Sequence, residues 1–91
     1  VNSGKYTGKE NQEATILKVN KEATIEIAKQ LRLRDIGGII VVDFIDLLDK
    51  NNQAQILETM IEEAKKDRSK IDIKGYTELN LVELTRKTVN I

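Results

Sequence analysis

At 91 residues the chain can form one domain or part of one, burying roughly 60–65% of its unfolded surface, so only modest stability is expected. Fifteen Lys and Arg against fifteen Asp and Glu give a formal net charge of zero, which excludes a global field for nucleic acid or anionic membrane and confines any polyanion to a local patch. Neither cysteine nor histidine occurs, which excludes disulfides, zinc thiolates, thiol nucleophiles and the commonest general base, and leaves oxygen donors suited to hard ions such as magnesium.

With 40% hydrophobic and 33% charged residues and no low-complexity tract, the chain should fold. The first residue is Val1 rather than methionine, so a fragment of a longer protein is expected. No secretory or membrane-spanning segment is evident, and a cytoplasmic location is the default expectation.

Val1 to Asn11 is polar, with Gly4 and Gly8 and no apolar period, and reads as a loop. Its glycines and lysines do not make a phosphate loop: that pattern needs four residues between the glycines and a hydroxyl after the lysine, whereas Gly4 and Gly8 enclose three and Glu10 follows Lys9. From Glu13 to Asp35, Leu17, Asn20, Thr24, Ile27, Ala28 and Leu31 recur at helical spacing, with Gly37 and Gly38 as the stop signal. Arg32 and Arg34 fall in the last turn, facing the negative end of the helix dipole.

Ile39 to Ile45 is β-branched and almost wholly apolar, which predicts a strand covered on both faces. Asp43 interrupts it. An ionised carboxylate taken out of water needs a cation or strong donors, so either protein groups at the strand end or a metal ion should satisfy it. Both readings stay open from the residues alone. Asp46 and Asp49 read as a turn residue and a helix cap. Ile56, Leu57, Met60, Ile61 and Ala64 trace the apolar stripe of a second helix ending near Asp67. Ile71 and Ile73 alternate with Asp72 and Lys74 in a third element, a turn is expected around Gly75, and Leu81 to Thr85 forms a fourth. The order predicts a single α/β domain over residues 1–91, a mixed sheet with its apolar strand central and two amphipathic helices lying on it.

Four stretches carry a resemblance: VNSGKYTGK, NKEATIEIAKQLRLRDIGGIIVVDFIDL, KKDRSKI and LVELTRK. Together they resemble the catalytic region of the ribonuclease E/G family of bacterial endoribonucleases, in register through essentially the entire chain. The resemblance implies an α/β subdomain similar to the pancreatic-type deoxyribonucleases. It also implies a magnesium ion held by two aspartates, which activates water to cut single-stranded RNA in RNA processing and decay. One of those aspartates falls on Asp43; the other is expected immediately before Val1, and Asn2 matches the amide that accompanies the metal site. Lys70 and Arg68 match a basic stretch that lies along the substrate backbone.

The family's S1-type barrel, 5′-monophosphate pocket, ribonuclease-H-like subdomain and zinc-linking cysteines have no counterpart in these residues, and the family implies a homo-oligomeric parent. The chain alone is therefore expected to cut RNA poorly. The competing expectation is a non-catalytic RNA-binding or protein-interaction module.

Overall fold

Asn20, Thr24, Ala28 and Leu31 are buried at three- and four-residue intervals along one side of a long helix, α1 (Gly8–Leu33). The computed structural model describes residues 8–89. Within them follow β1 (Gly38–Val42), α2 (Lys50–Ala64), β2 (Ile71–Tyr76) and β3 (Val82–Arg86). Residues 8–11, expected as loop, are helical, and the Thr15 hydroxyl donates to Asn11 O at 3.0 Å within this turn. The α/β class and the two helices are as expected.

The sheet order is β1-β3-β2 and both pairings are antiparallel. Two expectations are corrected here. The sheet is antiparallel rather than mixed among the described residues, since β2 and β3 are joined by a short turn that can only reverse the chain. Among the described residues the apolar strand β1 lies at an edge, with β3 in the centre. Ile40 and Val42 pack against the core, while Ile39 and Val41 on the other face are 72% and 52% exposed. A continuous apolar run predicts burial on both faces, and the described residues cover only one.

Alternation along β3 sets the covered face. Val82, Leu84 and Arg86 are buried beneath the helices. They meet Leu31 of α1, Phe44 and Leu47 of the segment after β1, and Ile56 and Met60 of α2 in one cluster. Ile71 and Ile73 of β2 join its margin, and Tyr76 does so only because a bulge between Ile73 and Gly75 shifts the phase. Gly75 holds φ 106° there, so it marks a bulge inside β2. The expected turn lies later, where the Thr77 N–H donates to Leu81 O and Asn80 takes φ 66°.

Arg86 is the charged member of the buried face. Its Nε and Nη2 donate to the two carboxylate oxygens of Asp67 at 2.9 and 3.0 Å, and its Nη1 donates to Asp35 Oδ1 at 2.9 Å and Ile36 O at 3.2 Å. The side chains of Arg86 and Asp67 are each 1% exposed. Asp35 terminates α1 in a left-handed conformation (φ 51°), and the Ile36 N–H reaches back to Leu31 O at 2.9 Å. The helix thus ends at Leu33, two residues short of the expected Asp35, and Asp35 makes the left-handed turn ahead of the glycines.

Removing the guanidinium would leave an uncompensated buried carboxylate. Arg86→Met is expected to lower unfolding stability by about 3–5 kcal/mol in urea titration. The Arg86 hydrogen bonds hold the Asp67 carboxyl below its ordinary value. A depressed folded value means that stability is fully present above about pH 4 and is lost as pH falls through the folded value, and this acid-side slope should be shallower in Asp67→Asn.

Candidate functional site

β1 ends at Val42, one residue before the carboxylate that interrupts its apolar run. Asp43 is therefore exposed, and it makes no hydrogen bond or ion pair with any described residue. The expectation of a buried charge is corrected by this geometry. The acid that is buried and bonded to arginine is Asp67, at the other end of the sheet. Since Arg86 pairs with Gly38 and Val42 pairs with Val82, the arginine lies four strand positions, roughly 13 Å, from the end that carries Asp43.

The segment from Asp43 to Asp49 has no regular structure, yet side chains hold it at several points. Phe44 and Leu47 are buried in the core at 7% and 3% exposure. Asn20 Nδ2, itself buried in α1, donates to Ile45 O at 2.8 Å. Gln53 Nε2 from α2 donates to Leu47 O at 2.8 Å. Glu13 accepts from the backbone N–H groups of Leu48 and Asp49 at 3.2 and 3.0 Å and from Asn52 Nδ2 at 3.0 Å. Those bonds, the Asp49 N–H first, hold the Glu13 carboxyl below its usual range. Asp49 caps α2 as expected, accepting from the Asn51 N–H at 2.8 Å. Asp46 accepts from Asn80 Nδ2 at 3.4 Å, which links the segment to the β2–β3 turn.

Polar side chains do most of this pinning, and the amides of Asn20 and Gln53 among them are neutral. Asn20 and Gln53 satisfy main-chain carbonyls without neutralising a carboxylate, so the loop is fixed while Asp43 keeps its charge. Sequence reasoning placed Asn20 on the buried stripe of α1 but gave it no role, and it missed Glu13 and Gln53. The legible signal was a polar residue at a core-facing position, which needs a partner once buried.

Lys70 and Arg68 lie in the connection between α2 and β2, where Lys70 O accepts from the Lys87 N–H at 3.1 Å. Because Ile71 and Gly38 both pair with Arg86, this is the far end of the sheet. The structure therefore separates Lys70 and Arg68 from Asp43 by roughly 15–20 Å along the strands. Both are exposed. Asn2 lies outside the described residues.

Asp43 offers a carboxylate oxygen, the donor type that suits magnesium, which keeps several waters and takes one or two carboxylates. No group of three or more acidic, histidine or cysteine side chains able to hold a metal occurs among the described residues. A free carboxylate on a pinned loop fits one such ligand, and further ligation would come from outside the described residues or from substrate.

Residues 1–89 match the family described as the ribonuclease E/G family. The chain is 44% identical over 87 residues to ribonuclease G of Haemophilus influenzae, covering 96% of the chain and 18% of that protein. The same identity and coverage hold for ribonuclease G of Escherichia coli strain K12. It is 49% identical over 87 residues to ribonuclease E of Nostoc sp., covering 96% of the chain and 13% of the relative. The chain thus spans less than a fifth of the length of these relatives.

Asn20→Ala and Gln53→Ala should each lower stability by about 1–2 kcal/mol, because each strips a donor from a carbonyl of the loop. Amide exchange within residues 43–49 should accelerate more than in β3. At wild type, protection of the Leu48 and Asp49 amides should fade as pH drops through the depressed Glu13 value, measured by hydrogen exchange across pH 3–6.

Proposed function

Because the chain belongs to the ribonuclease E/G family, we propose that it forms the metal-binding catalytic part of a magnesium-dependent endoribonuclease that cuts single-stranded RNA in RNA processing and decay. The observation that carries this reading is Asp43, exposed, unpaired among the described residues and set on a loop fixed from α1 and α2.

In this reading Asp43 is the metal ligand, Asn2 its adjunct, and an acid expected immediately before Val1 the second ligand. One carboxylate holds a doubly charged hard cation weakly; two that repel each other gain much more when the ion enters. Magnesium, when bound, supplies charge stabilisation at the phosphate and a water acidic enough to act near neutral pH. That chemistry needs no histidine, and the chain has none.

Asn20, Gln53 and Glu13 act as positioning residues through the loop backbone, keeping the Asp43 carboxylate in place with low reorganisation. Lys70 and Arg68 contact the RNA backbone at a distance from the cut, which a polymeric substrate can span. Isolated from the remainder of such an enzyme, the chain would cut RNA poorly. The parent would be a cytoplasmic homo-oligomer, joined through zinc held by cysteines outside these residues.

In the intact protein, Asp43→Asn is expected to reduce the rate of RNA cleavage by roughly a hundredfold or more with the melting temperature unchanged. Asp46→Asn, which keeps the capacity to accept from Asn80, should cost less than about tenfold. Retention of near wild-type turnover by Asp43→Asn would remove the metal-ligand role, and RNA binding without cleavage in the wild type would favour the gripping module.

A further inference from the structure

At the end of the sheet opposite Asp43, an arginine is left without an acceptor. Arg32, in the last turn of α1, makes no hydrogen bond to any described residue, and its Nη1 is enclosed away from solvent with nothing to donate to. A guanidinium carries five N–H donors, and a buried one left unmade costs about 1–3 kcal/mol or more. The nearby acid, Asp67, does not supply the acceptor. Both oxygens of Asp67 are taken by Arg86, and one also accepts from the Ser69 N–H at 2.9 Å. The Arg32 charge still contributes to holding the Asp67 carboxyl low, behind the larger effect of the Arg86 hydrogen bond, which places the guanidinium beside the acid without bonding it.

Arg32 lines a surface cavity with Leu33, Lys66, Asp67 and Arg68. Lys66 donates to Glu63 at 2.8 Å, whereas Arg68 is bonded to no described residue. Asp35 and Asp67 set against Arg86 leave one negative charge, and Arg32 offsets it. Arg68 is then in excess, with Lys70 close by in the chain. The cavity thus offers an excess of cationic donors, and the carboxylate among its described lining residues is already engaged by Arg86 and the Ser69 N–H.

We propose that this cavity binds phosphate, with Arg32 and Arg68 as the ligands and Lys66 at its rim, and that in use it takes a phosphodiester of the RNA strand. Guanidinium groups match phosphate oxygens through paired N–H donors, and a tetrahedral anion can satisfy the two arginines at once. The phosphate chemistry stands on the local geometry alone. Its assignment to RNA rests on the reading of the chain as a ribonuclease.

The test is binding without cleavage, in EDTA, on the intact protein. The Nε–H signals of the arginines are followed by NMR during addition of inorganic phosphate or of a single-stranded oligouridine, and oligomer affinity is measured against salt. Shifts at Arg32 and Arg68 are expected with both ligands. Arg32→Gln should weaken oligomer binding roughly tenfold and reduce the magnitude of the salt slope by about 0.7, with Arg32→Lys in between and Arg34→Gln unchanged.

A response to inorganic phosphate but not to the oligomer would keep the site and overturn its use for RNA. An Arg32 signal that moves with neither, together with unchanged affinity and salt slope in Arg32→Gln, would overturn the proposal. Because no metal or cleavage enters the measurement, its failure is separate from failure of the role given to Asp43.

Discussion

The guanidinium of Arg86 ties the α1–β1 and α2–β2 connections together beneath the helices. It bonds Asp35 at the end of α1, Asp67 after α2, and Ile36 O on the way into β1, while Asp35 also accepts from the Val89 N–H beyond β3 at 2.8 Å. A buried ion pair gains little net stability against the cost of desolvating both partners, but a broken one is expensive. The network therefore acts mainly as a register device. If β3 slipped by one residue, Arg86 would face solvent and both acids would lose their cation.

The consequence reaches the other end of the sheet. Arg86 is committed to Asp35 and Asp67 four strand positions away, and Asp43 makes no ion pair with any described residue. The loop that carries Asp43 is held instead by the amides of Asn20 and Gln53, by Glu13 as an acceptor for main-chain N–H groups, and by burial of Phe44 and Leu47. Two kinds of polar interaction are thus kept apart: Asp35 and Asp67 are paired with Arg86 at one end, and hydrogen bonds to main-chain groups fix the backbone at the other. A carboxylate left charged on a fixed loop has a definite position and a free valence toward a cation. Its accessibility follows from the early end of β1, which turns an apparent charge in a strand into a charge beside one.

Much of this was legible in the residues. The helical spacing of Leu17, Asn20, Thr24, Ala28 and Leu31 gave α1, and Asp49 followed by the Ile56 and Met60 stripe gave α2 with its cap. The alternation of Ile71 and Ile73 gave β2. The edge position of β1 was not legible, since an apolar run reports the propensity for burial and not which faces the chain can cover. The Gly75 bulge looked like a turn because glycine marks both, and only the register distinguishes them. The buried charge was assigned to Asp43 from its apolar neighbours, whereas the alternation of Val82, Leu84 and Arg86 held the better clue: it puts an arginine on the covered face, which must then find acids. Asp35 and Asp67, far apart in sequence, could not be named as those acids without the fold.

The division between arginine-paired aspartates at one end and an unpaired one at the other is tested most directly by titrating magnesium into the intact protein while following the side-chain carboxylate carbons of its aspartates by NMR. The account predicts that the Asp43 signal moves with magnesium while those of Asp35 and Asp67 stay fixed. A stationary Asp43 signal, or a response at Asp67 equal to that at Asp43, would contradict it.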